Sequence, residues 1–172
     1  MDELLAREAI RQQLANYGRG VDRRDRALLR AVWHEDGTLD YSLPGVTTPD
    51  QLIDVLFATG EPKDVWLHPL VGVSIEVRAD RAASEAYAST RAYRRLSKTR
   101  VRATLIHARY LDAWSRRDGR WAIDHRKAIT DVSVSQENEG EVRMSQGKPD
   151  RSDPSYAVFE ALTQGRGGEG SP

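Results

Sequence analysis

The stretch Leu67-His68-Pro69-Leu70-Val71-Gly72-Val73-Ser74-Ile75-Glu76-Val77 is where the chain changes period. Leu67, Pro69, Val71, Val73, Ile75 and Val77 alternate with His68, Leu70, Gly72, Ser74 and Glu76, the two-residue repeat of one long strand. Downstream the strand pattern persists. Arg78-Ala79-Asp80-Arg81 reads as a turn, Ala82 to Leu96 as a second strand and Val101 to Trp114 as a third. Arg117-Asp118-Gly119 is a strong hairpin signal, and Arg120 to Val134 returns as a fourth strand.

Upstream the period is helical. Leu4, Leu5, Ile10, Leu14 and Tyr17 recur at helical spacing from about Asp2 to Tyr17, with Gly18 and Gly20 as the stop. A second helix reads from about Arg24 to Trp33 on the stripe Ala27, Leu28, Ala31 and Val32, with Asp25 as its favoured cap. His34-Glu35-Asp36-Gly37 is turn chemistry before a short strand, Thr38 to Tyr41. Thr48, Pro49 and Gln51 form a capping-box start for a third helix that carries Leu52, Ile53, Val55, Leu56 and Phe57 and closes at Gly60. Helices first and strands later give an α+β domain, an antiparallel sheet curled against the helices, over residues 1–134. Residues 135–172 form an extension: polar from Gln136 to Asp153, then a short docking helix around Tyr156, Val158, Phe159 and Leu162, then a disordered Gly-rich end.

Composition narrows the function. The 172 residues carry 26 basic and 26 acidic side chains, a formal net charge of zero. That supplies no electrostatic argument for nucleic acid or an anionic membrane. The lack of cysteine excludes disulfides, thiolate catalysis and Cys-ligated metal, and no His-x-x-x-His or Glu-x-x-His pattern points to a metal. No glycine-rich phosphate loop follows a strand, so no cofactor is expected. Met1-Asp2-Glu3-Leu4-Leu5-Ala6-Arg7 lacks the basic-then-apolar order of a secretory signal, and no run is apolar enough to span a membrane. The expectation is a cytoplasmic protein.

Asp22, in Tyr17-Gly-Arg-Gly-Val-Asp22-Arg-Arg-Asp25, and His68, in Trp66-Leu67-His68-Pro69-Leu70, are the candidate chemistry. A carboxylate that orients an imidazole makes a general base near neutral pH. Sequence spacing does not pair the two residues. The plain alternatives are a core-edge histidine bonded to a backbone carbonyl and an aspartate that caps a helix.

The order helix, helix, short strand, helix, four long strands resembles the nuclear transport factor 2-like cone fold, and within it the SnoaL-like branch. That branch holds scytalone dehydratase, the bile acid 7α-dehydratases and γ-hexachlorocyclohexane dehydrochlorinase. The resemblance runs from roughly Glu3 to Val134. It is carried by Gly20 to Arg30 followed by Trp33 to Tyr41, by Leu67-His68-Pro69-Leu70-Val71-Gly72, and by Arg116 to Arg126.

The resemblance implies that Asp22 orients His68. His68 then abstracts a proton while a hydroxyl or chloride leaves the neighbouring carbon. It places Tyr17 where the bile acid dehydratases carry a catalytic tyrosine, and Arg126 where the dehydrochlorinase has a pocket arginine. Tyr93 or a neighbour stands where scytalone dehydratase has a second histidine. His107, in phase with Val101, Ala103, Leu105 and Leu111, is a further candidate for the pocket wall, whereas His34 and His125 read as surface residues.

Two readings of function follow. One is a cofactor-independent lyase, or an isomerase with the same dyad, acting on a small apolar cyclic molecule. The other is a binding or assembly module such as the β subunit of ring-hydroxylating dioxygenases. Either is expected to form a homo-oligomer.

Overall fold

The computed structural model describes residues 3–59, 64–139 and 147–164. Four helices and six strands follow in the order α1 (Glu3–Asp22), α2 (Arg26–Arg30), β1 (Trp33–Asp40), α3 (Pro49–Thr59), β2 (Val65–Leu67), β3 (Leu70–Arg78), β4 (Arg81–Arg95), β5 (Arg100–Arg117), β6 (Arg120–Glu139) and α4 (Pro154–Gln164). The strands form one sheet in the order β1-β6-β5-β4-β2, with β3 also on the edge of β4. The sheet curls as a half-barrel around the N-terminal helices, and the fold is α+β, of the nuclear transport factor 2-like cone type. Gly60 and the Gly165–Pro172 end lie outside the described residues.

Helix α1 runs five residues beyond the expected stop, through Gly18 and Gly20 to Asp22. The two glycines do not end it; they let other backbone come close. A Cβ on Gly18 would stand 2.8 Å from the carbonyl oxygen of His68, and one on Gly20 would stand 2.8 Å from the Leu29 Cβ. The buried stripe is Ala6, Ile10, Leu14, Tyr17 and Val21, while Leu4 and Leu5 face solvent. Each fully buried aliphatic side chain on it contributes roughly 1.5–3 kcal/mol relative to exposure.

Helix α2 is far shorter than expected, five residues, because Trp33 to Asp40 is recruited into β1. Asp25 is its cap, accepting the Leu28 N–H at 3.0 Å. The expected turn at His34–Gly37 is an irregularity inside β1, where the register against β6 shifts between Trp33 and Thr38. β1 pairs with β6 in parallel, so the sheet is mixed rather than wholly antiparallel. Helix α3 starts as a capping box: the Gln51 N–H reaches Thr48 Oγ1 at 3.4 Å, and the Thr48 N–H reaches Gln51 Oε1 at 3.1 Å.

The long strand read at Leu67–Val77 is two strands. It breaks at His68-Pro69, where proline has no N–H for the ladder. Both pieces pair with β4, β2 at Arg91–Tyr93 and β3 at Arg81–Ala88. Gly72, at φ +70°, holds a bulge that shifts the register between Val71 and Val73. Val71 therefore faces solvent while Ile75 is buried. β6 continues to Glu139, past the expected end at Val134. Among the described residues of α4 only Tyr156 is buried; Val158, Phe159 and Leu162 are exposed, and of the expected four Tyr156 and Phe159 meet the Arg19 guanidinium of α1.

Candidate active site

Asp22 is the last residue of α1, and His68 fills the gap between β2 and β3. The Asp22 carboxylate holds that gap with both oxygens. Oδ1 accepts from His68 Nδ1 at 2.6 Å, and Oδ2 accepts the His68 backbone N–H at 3.1 Å. A carboxylate only accepts, so in the neutral imidazole the proton sits on Nδ1 and Nε2 keeps its lone pair. Nε2 has no hydrogen-bond partner among the described residues. The two side chains are mostly buried, 17% exposed for Asp22 and 9% for His68. Sequence distance hides this pair; the break at Pro69 and the bare Gly18 bring the strand against the helix.

The imidazole lies between two rings. Tyr17 meets it edge-on with centroids 6.5 Å apart, and Trp66 does so at 6.3 Å. Beyond Tyr17 is a polar cluster inside the cone. The Tyr17 hydroxyl lies 3.1 Å from that of Tyr41 and donates to that of Tyr110 at 3.4 Å. Arg126 is fully buried beneath them, its Cζ 4.4 Å from the Tyr17 ring centroid and 4.5 Å from that of Tyr110. Its Nε and Nη2 make a bidentate pair with the buried Asp112, at 2.6 and 2.8 Å. Its Nη1 is buried with no hydrogen-bond partner within normal geometry among the described residues.

The electrostatics keep Tyr17, Tyr41 and Arg126 protonated. Burial, reinforced by the neighbouring Tyr110 and Tyr41, pushes the Tyr17 phenol well above its ordinary value. Burial also raises Tyr41, against the pull of Arg126. Burial works to discharge Arg126, but the Asp112 carboxylate outweighs it and the guanidinium stays charged. Tyr17 and Tyr41 are therefore hydrogen-bonding groups near neutral pH rather than acids or bases.

Of the residues singled out from sequence, the fold gathers Asp22, His68, Tyr17 and Arg126. It does not gather Tyr93 or His107. On β5 the buried alternation runs through Ala108, Tyr110, Asp112 and Trp114, with Ser115 buried beside it, so His107 lies on the opposite, outer face and is exposed. On β4 the buried phase is Ser84, Ala86, Ala88 and Thr90, which puts Tyr93 on that outer face too, in a groove with Arg91, Ala103 and Val134. His34 is a second correction. It is buried, not a surface residue, with Nε2 3.1 Å from the Ser115 carbonyl oxygen, and it ties β1 to β5. His125 is exposed as expected.

Tyr41 and Tyr110 were missed. Tyr41 stands one residue past the end of β1, where the sequence pattern reads the last residue of a short strand, and Tyr110 sits on the face of β5 opposite to that of His107. Asp112 across from Arg126 was the available signal, since opposite charges on paired strands must share a face.

Two grooves flank the dyad on the outer side of α1. One, of about 630 Å³, is lined by Leu14, Gly18, Asp22, His68 and Pro69 among others. The other, of about 690 Å³, runs from Asp22 to Tyr156 and Phe159 on α4. Among the described residues no group of three His, Cys, Asp or Glu side chains is placed to hold a metal, and no helix is long and apolar enough to cross a membrane.

Several solved structures share this fold. A type 2 hexachlorocyclohexane dehydrochlorinase (LinA) superposes with a TM-score of 0.67 at 18% identity, over 83% of this chain and 96% of that one. A protein from Novosphingobium aromaticivorans with a provisional scytalone dehydratase assignment gives 0.66 at 16% identity, over 84% and 97%. The LinA-type3 dehydrochlorinase of Novosphingobium barchaimii gives 0.65 at 20% identity, over 82% and 97%. These likenesses establish the fold. No curated protein matches the chain. The model of the SnoaL-like domain matches residues 2–127, and with the cone, the dyad and the tyrosine cluster in view, the chain belongs to the SnoaL-like domain family.

Proposed function

We propose that this protein is a cofactor-independent lyase that eliminates water, or a comparable small leaving group, from a small, mostly apolar cyclic substrate. The observation that carries the reading is the 2.6 Å contact between Asp22 Oδ1 and His68 Nδ1, which leaves Nε2 free to take a proton. Nε2 removes a proton from carbon, the released electron pair forms the double bond, and the oxygen on the neighbouring carbon departs. An imidazolium is a far stronger acid than a phenol. The protonated His68 is therefore the better donor to the departing oxygen, which leaves as water and returns the dyad to its starting state.

Tyr17 packs edge-on against the His68 ring, and Tyr41, Tyr110 and Arg126 behind it form the buried backing that holds that ring in place. The dehydrochlorinase and dehydratase names among the structural neighbours support an elimination, as does the family. An isomerase would use the same atoms and return the proton to a different carbon. The mass of the product separates the two.

The test is turnover of a panel of cyclic β-hydroxy ketones by the wild-type protein and by His68→Ala. The lyase reading expects dehydrated product from the wild type and a loss of about 10²–10⁴-fold in the variant, the usual weight of a positioned base. Equal product from both proteins would refute it.

We further propose that the protein is a cytoplasmic homo-oligomer that pairs through the convex face of the sheet. Val71, Tyr87, Val132 and Val134 are each about half exposed on β3, β4 and β6. An uncovered apolar sheet face favours association with a partner.

A further inference from the structure

The geometry points to a task for the C-terminal extension: we infer that α4 is a clamp that positions the dyad carboxylate, with Tyr156 and Arg19 as positioning residues. Asp22 ends α1 at an elbow. The chain turns there through Arg24, which adopts the left-handed conformation at φ +49°, and enters α2 at Arg26. A residue with a Cβ is held in that conformation against a cost of about 1 kcal/mol, so the elbow needs neighbours to fix it.

Arg24 itself is held by the Phe57 carbonyl oxygen and the Trp66 ring, and the segment from Arg151 to Phe159 holds the residues around it. That segment touches the elbow at residues on both sides of Asp22 and within three positions of it. Before Asp22, the Arg19 guanidinium donates to Ser155 Oγ at 2.9 Å and lies over the Tyr156 and Phe159 rings, at 4.4 and 4.8 Å. Just after it, Arg23 pairs with Asp153, Nε to Oδ1 at 3.4 Å. Three positions after it, Asp25 Oδ2 accepts from the Tyr156 hydroxyl at 2.8 Å and from Arg151 at 3.1 Å, while Oδ1 caps α2.

The clamp is itself rigid. Asp153 accepts from the Lys148 and Ser155 backbone amides at 2.9 and 3.1 Å and is 5% exposed. Tyr156 is 8% exposed. None of these groups touches His68, so they act on it through the placement of Asp22. The carboxylate has to satisfy two donors at once, the ring Nδ1 and the backbone N–H of His68. A small rotation of the elbow would therefore loosen both bonds together.

This rests on the dyad geometry and not on any turnover, and the readout is chosen to keep the two apart. The experiment is hydrogen exchange by NMR on the full chain, comparing the wild type with Tyr156→Phe/Arg151→Ala, which frees Asp25 Oδ2. Val158→Ala on the exposed face of α4 serves as control. In the double variant the His68 amide and its Nδ1 proton should exchange about tenfold faster, while the Ile10 amide in the middle of α1 keeps its wild-type rate. The control should leave all three rates unchanged.

Wild-type exchange at His68 in the double variant would overturn the clamp. So would an acceleration shared equally by Ile10, because a merely structural loss moves both. Should the double variant not fold, Tyr156→Phe alone is read on the same two amides. A protein that turned over no cyclic alcohol would still give this answer.

Discussion

At the scale of single residues, three positions bear more than their sequence neighbourhood announces. Gly18 is the first. With a Cβ 2.8 Å from the His68 carbonyl oxygen, Gly18→Ala must push the β2–β3 gap away from α1. We expect about 1–3 kcal/mol of destabilisation, as for overpacking elsewhere, together with a fall in kcat of more than about tenfold, because the displaced segment is the one that carries the proposed base. Chemical denaturation and turnover of the same sample check both. Arg126 and Asp112 are the other two. Removing one partner leaves a buried charge alone, so Arg126→Met should cost about 3–5 kcal/mol. Arg126→Met with Asp112→Leu should recover most of that in urea unfolding while activity stays lost. Recovery of activity along with stability would show that the guanidinium serves only the fold.

At the scale of elements, α4 is held by ionisable contacts and should respond to pH at both extremes. The Ser155 hydroxyl, then the Lys148 amide, hold the Asp153 carboxyl down to about 2. Burial works to raise Asp25, but the Leu28 amide, Tyr156 and Arg151 outweigh it and keep it below the ordinary range. A depressed carboxyl stabilises above its unfolded value near ~3.9 and loses that contribution as pH falls through the folded value. Burial, then the Asp25 contact, pushes Tyr156 up to about 12. A raised phenol stabilises below its unfolded value near ~10 and loses that contribution as pH rises through the folded one. Amide protection in α4 should therefore hold across neutral pH, weakening below about pH 4 and above about pH 10. Protection that is flat over the whole range would mean that these contacts do not hold the helix.

The same elements show what local pattern can and cannot convey. Thr48-Pro49-Asp50-Gln51 declares a helix start because all the groups that form it lie within four residues. Asp118-Gly119 declares a hairpin for the same reason, and both residues take positive φ there. Gly18 and Gly20 mislead because their purpose is the approach of Leu29 and His68, which is a tertiary fact. Tyr110 and His107 exchange roles because alternation gives two faces on β5 without saying which one is inside. The register shifts, between Trp33 and Thr38, at Gly72, between His107 and Ala108 and between Ala113 and Trp114, then move the phase where no local signal marks it. The dyad was legible only through resemblance to a family; its partners Tyr41 and Tyr110 were not.

At the scale of the whole molecule, the cone places a wet and a dry side around one helix. The inner side of α1 meets Tyr110, Trp33 and Arg126, and its outer side carries the grooves that reach Asp22. The convex face of the sheet is left with Val132 and Val134 about half exposed. A charge placed in that face, Val134→Asp, should lower the light-scattering mass from a multiple of the chain to a single chain without loss of helical signal. A wild-type protein that runs as a single chain would end that part of the account.

The measurement that bears most directly on the central claim is kcat/KM of Asp22→Asn. An asparagine amide can donate to Nδ1 as well as accept, which favours the tautomer with its proton on Nε2 and removes the base while leaving the shape intact. The account predicts a fall of about 10²–10⁴-fold, with the imidazole proton moved to Nε2 by nitrogen NMR. Turnover within about twofold of wild type would contradict it, because the imidazole would then be working without the carboxylate that holds it.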